Sequence, residues 1–432
     1  MIYLVTKQTN LQDDSYEIIS VEESLKILES LTIVGLDTET TGLNCHKDKL
    51  LSVQLGCKKF QVVVDCTTID IQEYKSYLES DRVFILWNAK FDLKWLYRYH
   101  IVPKNVYDGF LAEKIMWLGY PIVLTVDMWN NIKCDRYDYF PGDSKKDIEA
   151  HYKLQMNLKK AGEMYLGVEL DKSVRGKIIY LGLTPETIAY SANDVKYLED
   201  IKNCQEKLLK EKGLMLAMSY SNKFILALAY MEFCGIKVDI NKWIAKMNKD
   251  NEQLESYKKQ IDEWLIKNDP TSPYITINRQ GNLFEGFDLS PKVTVNWKSS
   301  QQVIPIFKKF GVNLEVPDKK TKKNKDSIDI KVLAPQKDKC SLIPLYIKYK
   351  EMEKQRSSFG ENILKQIDKE TGRLYSRFNP FGTDTCRISS GGKDKAKGIK
   401  YINLLNLPSD AETRACFIAE EGNRWISIDY SG

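Results

Sequence analysis

Apolar residues in the first half of the chain gather in short β-rich runs. Residues 31–37 (LTIVGLD) form one run, ending in an acid, and residues 50–55 and 60–65 (FQVVVD) form two more. Residues 82–87 (RVFILW) are a fourth, and residues 91–99 follow with helical spacing. Pro185 opens a stretch of helical period, PETIAYSANDVKYLEDIKNCQEKLLKE. Proline in a first turn is a helix-start signal. Strands alternating with helices predict an α/β layer fold here.

From about residue 214 the pattern changes to long amphipathic helices. Residues 241–268 place Trp243, Ile244, Met247, Leu254, Ile261, Trp264 and Leu265 among many charges, and residues 343–367 predict another helix. Residues 319–331 are polar and lysine-rich and read as a loop. Residues 372–378 and 424–430 (RWISIDY) predict strands, the second ending in an acid, and no internal repeat is visible.

Composition narrows the class. A length of 432 residues suggests two to four structural units at ~100–200 residues each. The 43% hydrophobic and 28% charged content is that of an ordinary soluble globular protein. No apolar run approaches the ~18 residues of a membrane span, and MIYLVTKQTNLQDD lacks a signal-peptide core. A cytoplasmic setting is the default expectation. The nine cysteines include no C-x-x-C pair and are odd in number, which speaks against a disulfide framework or zinc site. His46, His100 and His151 lie far apart and read as surface or capping residues. Charge is uneven. Residues 1–210 hold 27 Lys and Arg against 31 Asp and Glu, net −4, whereas residues 211–432 hold 37 against 28, net +9. A basic half suits a polyanionic partner.

The candidate chemistry is acidic and falls in three contexts. In DTETTGL, Asp37 and Glu39 are two apart at a strand end and share a face. In WNAKFD, Asn88, Phe91 and Asp92 lie at a strand-to-helix junction; in YSAND, Tyr190 and Asp194 are one helical turn apart. Singly, each pattern is more often structural: a strand-end pair, a helix cap, a helix face. In order along one chain, they make a carboxylate cage. Phosphodiester hydrolysis must activate water and stabilise charge on the attacking and leaving oxygens. Two divalent metals ~3.5–4 Å apart do both, and carboxylate oxygens suit Mg²⁺.

These segments resemble the three exonuclease motifs of the DEDD superfamily, in its tyrosine-containing branch. That branch includes the proofreading domains of family A polymerases and the RNase D-like and Werner-type exonucleases. The resemblance covers about residues 1–210 and implies an RNase H-like mixed sheet with helices. It implies two Mg²⁺ or Mn²⁺ ions held by Asp37, Glu39, Asp92 and Asp194, with Tyr190 orienting the attacking water and Asn88 contacting DNA. Trp87 stands where many members have His or Gln.

Beyond residue 210 the resemblance is to a family A (DNA polymerase I type) polymerase. MEFCGIKVDINKW (231–243) is similar to the segment that opens the thumb, and NWKSSQQV (296–303) to an Asn-x-x-Ser-x-x-Gln-Leu pattern. YKEMEKQRSSF (349–359) resembles a helix that places Lys354 and Ser357 near DNA. GTDTCRISS (382–390) resembles Gly-Thr-x-Thr-Gly-Arg-Leu-Ser-Ser, with Cys386 for Gly, and brings in Thr385 and Arg387. NLLNLP (403–408) resembles Asn-Leu-Gln-Asn-Ile-Pro, with Leu405 for Gln, and TRACFIA (413–419) resembles Ile-Arg-x-Ala-Phe. Arg387, Asn403, Asn406 and Arg414 are donors suited to phosphates and minor-groove acceptors. ISIDYSG (426–432) resembles polymerase motif A, whose acid, here Asp429, binds the catalytic metals. The insert GGKDKAKGIK (391–400) carries four lysines and reads as a flexible basic loop.

The expected division is exonuclease over 1–210, a mostly helical thumb over 211–370 and the start of an α+β palm over 371–432. The expected substrates are a single-stranded DNA 3′ end and a primer–template duplex. Motifs B and C are not among these 432 residues. The polymerase site is therefore expected to be incomplete and to need a C-terminal fragment carrying them. An engineered truncation, a split gene product and one half of an intein-interrupted polymerase all fit. A phage-like or compact bacterial source, in bacterial or phage-infected cytoplasm, is expected because no 5′-nuclease domain precedes. Two other readings remain: a DNA-binding subunit of a split polymerase without catalysis of its own, and an RNase D-like RNA exonuclease.

Overall fold

The structure, a computed structural model, describes residues 1–116, 157–170, 178–277, 290–317, 324–383, 387–394, 399–426 and 428. It comprises two units. The first is Met1–Gly235 with Ser376–Gly391, the second Ile236–Tyr375 with Gly392–Gly432.

A seven-stranded sheet is the frame of the first unit. Its strands are β1 (Ile2–Val5), β2 (Glu17–Ile18), β3 (Ile33–Thr40), β4 (Leu50–Gly56), β5 (Gln61–Asp65), β6 (Val83–Leu86) and β7 (Asn105–Asp108). They lie in the order β2-β1-β5-β4-β3-β6-β7. β4 runs antiparallel to both β3 and β5, and the outer pairs are parallel. Every residue of β4 and β5 is buried, the polar Ser52, Gln54, Gln61 and Asp65 included, so the sheet is covered on both faces. This mixed sheet with helices is the RNase H-like arrangement expected from the sequence.

The helix expected from Pro185 is two helices, Pro185–Lys196 and Leu198–Glu211, broken at Tyr197. The break lets each piece find its own support. The first packs on β3, β4 and β5, the second on the helices Gly109–Met116 and Leu158–Leu166. The helix Met215–Cys234 follows the change of pattern near residue 214 but belongs to the first unit. There the Leu226 carbonyl accepts from the Tyr97 hydroxyl, and the Asn222 side chain accepts from the Asp108 N–H.

In the second unit the helices Ile240–Asn268 and Leu342–Ser358 pack together around Leu254, Ile261, Leu265, Trp297, Phe307 and Tyr346. The polar ends of that core are satisfied: Trp297 Nε1 donates to Asp262 Oδ1 at 2.7 Å, and the Tyr346 hydroxyl to the Trp297 carbonyl at 3.1 Å. A second cluster with Trp243 and Ile363 packs on a small antiparallel sheet, in which Ile236–Val238 lies between Arg373–Leu374 and Phe417–Ile418.

Five local expectations need correcting. The predicted helix 343–367 divides at Phe359 into Leu342–Ser358 and Gly360–Gln366. The predicted strand 372–378 is only the pair Arg373–Leu374, with Phe378–Asn379 a separate strand. In the lysine-rich stretch, Asn324–Asp326 pairs with Glu315–Pro317 as a hairpin. The basic insert likewise forms a hairpin, Gly392–Asp394 against Ile399–Tyr401. Of RWISIDY, residues 424–426 and 428 form no strand and the rest lies outside the described residues. Among the described residues no helix is long and apolar enough to cross a membrane, and the seven described cysteines are free.

Candidate functional site

β3 supplies the first two acids. Period-two alternation puts Asp37 and Glu39 on one face of the sheet, where the register sets Gln54 opposite Asp37 and Ser52 opposite Glu39. Gln54 Nε2 donates to Ser52 Oγ at 2.6 Å, while the buried Gln54 Oε1 has no hydrogen-bond partner among the described residues. The ladder shifts register between Glu39 and Thr40, a bulge at the edge of the acidic face.

The helix Pro185–Lys196 brings the other side. Its start is fixed by Pro185 in the first turn and by a capping box between Thr184 and Thr187. Ile188 and Ala192 anchor it against Leu4 and Val63. One residue of β3 lets it come close: a Cβ built on Gly35 would stand 2.6 Å from the carbonyl oxygen of Val195. The bare backbone there lets Asp194 reach the acids of β3. Ligand oxygens of Asp37, Glu39 and Asp194 all lie within 4.8 Å of one another. Asp194 and Tyr190 are buried, Asp37 and Glu39 half-buried.

Asp92 is not one of the three. It sits in the first turn of the helix Lys90–Arg98, 2% exposed, and accepts from Thr38 Oγ1 at 2.6 Å. Thr38 lies between Asp37 and Glu39, and alternation turns it off their face. Burial pushes the Asp92 carboxyl up to about 7, with the charge of Asp108 adding to the rise and the Thr38 hydrogen bond opposing it. Asp108 fixes the start of that helix, its carboxylate accepting the backbone N–H groups of Asn88 and Ala89 at 2.9 and 3.1 Å. It also accepts from Phe110 and Leu111, at 3.0 and 3.3 Å. Asn88 takes a left-handed φ of 69°, which asparagine tolerates, and its side chain is exposed. Gly35, Thr38, Gln54 and Asp108 were not legible as site residues in the sequence, since each acts through a neighbour that only the fold supplies.

The donor set fits a divalent cation. Three carboxylates this close repel one another, and an all-oxygen set is what hard divalent ions take.

In the polymerase-like segments, Lys354 and Ser357 lie exposed at the end of the helix Leu342–Ser358, and Arg387, Asn406 and Arg414 are exposed as well. Asn403 caps the short turn Leu404–Asn406, its side chain accepting from the Leu405 N–H at 3.0 Å. Thr385 and Asp429 lie outside the described residues.

A family model described as 3′-5′ exonuclease matches residues 16–210, and one described as DNA polymerase family A matches residues 285–432. A DNA polymerase I of Aquifex aeolicus is 27% identical over 433 residues, covering 95% of this chain and 60% of the relative. A DNA polymerase I of Borreliella burgdorferi is 25% identical, covering 96% of this chain and 40% of the relative. The chain thus spans 60% or less of the length of these two relatives. Among solved structures, the POL domain of Pol1 from M. smegmatis, in complex with DNA primer-template and dNTP, superposes with a TM-score of 0.58 at 14% identity. That match covers 97% of this chain and 59% of the other, and concerns the fold alone.

Proposed function

Because this chain belongs to family A of the DNA polymerases, with an exonuclease domain on its N-terminal side, we propose that its first unit hydrolyses DNA from the 3′ end as a proofreading exonuclease. The observation that carries this reading is the convergence of Asp37, Glu39 and Asp194 within 4.8 Å. These three would hold Mg²⁺ or Mn²⁺, with Asp92 the fourth carboxylate that the exonuclease resemblance implies. Such ions, when bound, activate water and neutralise charge on the attacking and leaving oxygens. Tyr190, one turn before Asp194, orients the attacking water through its hydroxyl. Thr38 fixes the Asp92 carboxyl by its 2.6 Å hydrogen bond. Exposed Asn88, at the mouth of the same helix, meets the DNA strand.

The test is release of nucleotides from a 5′-labelled single-stranded DNA with Mg²⁺ or Mn²⁺. Joint substitution Asp37→Ala and Glu39→Ala should lower the rate by about two orders of magnitude or more. Wild-type activity in that variant refutes the assignment. A labelled RNA in the same assay addresses the RNase D-like reading, which the polymerase match over residues 285–432 disfavours.

For the polymerase-like region we propose a DNA-gripping role. Lys354, Ser357, Thr385, Arg387, Asn403, Asn406 and Arg414 contact primer–template, and Asp429 supplies one metal-binding carboxylate. Phosphoryl transfer depends on positioning and charge neutralisation, so Asp429 needs the groups of motifs B and C beside it to extend a primer. Primer extension should be absent with this chain alone and appear when a fragment bearing motifs B and C is added. Extension by the chain alone contradicts the proposal.

A further inference from the structure

Glu232, near the end of the helix Met215–Cys234, is 5% exposed. Its Oε1 accepts from Lys90 Nζ at 2.5 Å and its Oε2 from Lys94 Nζ at 2.9 Å. A carboxylate so buried is costly unless paired and hydrogen-bonded. Burial alone would raise its pKa, but Lys94 and Lys90, with the N–H of Phe378, hold it below the usual range.

The third partner carries the argument. Phe378 donates its backbone N–H to Glu232 Oε1 at 2.7 Å, and its carbonyl accepts from Lys90 Nζ. Both main-chain groups of one residue are therefore held by the two members of one ion pair. Phe378–Asn379 pairs with Ser389–Ser390, making a hairpin of the segment Ser376–Gly391, which also carries Arg387. Lys90 stands two residues before Asp92 in the first turn of its helix. Lys94 bonds to Glu232, and no bond from it to Phe378 is present among the described residues.

We propose that Glu232 is a positioning residue of the exonuclease site: with Lys90 it clamps the main chain of Phe378 to the helix that carries Asp92, so that the hairpin 376–391 sets where Asp92 stands. The inference rests on the exonuclease reading above. Because the clamp grips main chain, it depends on the acid and the lysine and not on the side chain at position 378. The hairpin bears residues of the polymerase-like segment GTDTCRISS.

The test is steady-state exonuclease kinetics of the full chain on a single-stranded DNA 3′ end, beside trypsin cleavage after Arg377 and Arg387. Glu232→Gln keeps the shape and removes the charge. It should lower kcat by about tenfold to a hundredfold with KM within about twofold, as expected of a misplaced group, and speed cleavage of the hairpin. Lys90→Met should do the same, Lys94→Met should not, and Glu232→Asp should recover part of kcat. Wild-type kcat in Glu232→Gln overturns the proposal, as does equal loss in Lys90→Met and Lys94→Met. If Glu232→Gln does not fold, the two lysine variants decide. The Asp37→Ala, Glu39→Ala control separates the failures. An active control overturns the exonuclease reading and the clamp with it, whereas an inactive control beside an unchanged Glu232→Gln sinks the clamp alone.

Discussion

At the scale of single residues, the ionisation of Asp92 is shifted by its surroundings. Its folded pKa, about 7, stands above the ordinary value of 3.8 because of burial. The folded state therefore binds its proton more tightly than the unfolded chain does. The resulting stabilisation is full below the ordinary value and is lost as pH rises through about 7. Under the proposed ligand role of Asp92, a bound cation displaces that proton. Apparent Mn²⁺ affinity should rise with pH toward about 7 and then level off. Calorimetric titration across that range measures it, and Asp92→Asn should flatten the curve. Asp108 gives a second expectation. Asp108→Ala would strip four backbone N–H groups of their acceptor. It should cost about 1–3 kcal/mol of stability, read as a lower denaturant midpoint. The acids themselves were legible beforehand, because periods of two and 3.6 place Asp37 with Glu39 and Tyr190 with Asp194. Thr38 and Asp108 were not, because nothing local distinguishes a strand threonine or a helix-start aspartate from its structural equivalents.

At the scale of elements, the distance between β3 and the helix Pro185–Lys196 sets the geometry of the cage. Gly35 is the point of contact, and a methyl group there meets the Val195 carbonyl. Gly35→Ala should push the helix outward and destabilise by about 1–3 kcal/mol. It should also lower exonuclease kcat by about tenfold or more through displacement of Asp194. Chemical denaturation and single-turnover kinetics on the same sample separate the two effects. An unchanged kcat would mean that the helix absorbs the methyl elsewhere. Strands β3 to β6 were legible because each contains a short run rich in apolar and β-branched residues. The breaks at Tyr197 and Phe359 were not, since helical period continues across both and only the partners of each half impose the bend. Strands of two or three residues, such as Arg373–Leu374 or Gly392–Asp394, are too short to carry a period at all.

At the scale of the whole molecule, residues 211–432 carry a net +9. Duplex DNA binding through phosphates should weaken about tenfold or more between 50 and 200 mM salt. Fluorescence anisotropy of a labelled primer–template measures this, and a flat response contradicts phosphate-led binding. The division of the chain was the least legible level, because the first unit is not continuous in sequence. The chain leaves it at Gly235, returns at Ser376 and leaves again after Gly391. That has a consequence for biosynthesis. The N-terminal unit emerges first from the ribosome, yet its last hairpin follows only when residue 391 is made, roughly ten to thirty seconds after residue 235 at ~5–20 residues per second. Through that interval Glu232 lacks the Phe378 N–H that completes its shell, and the intervening chain must start to fold while its neighbour waits. A nascent chain arrested near residue 240 should therefore be digested by protease more readily than the same residues in the finished protein.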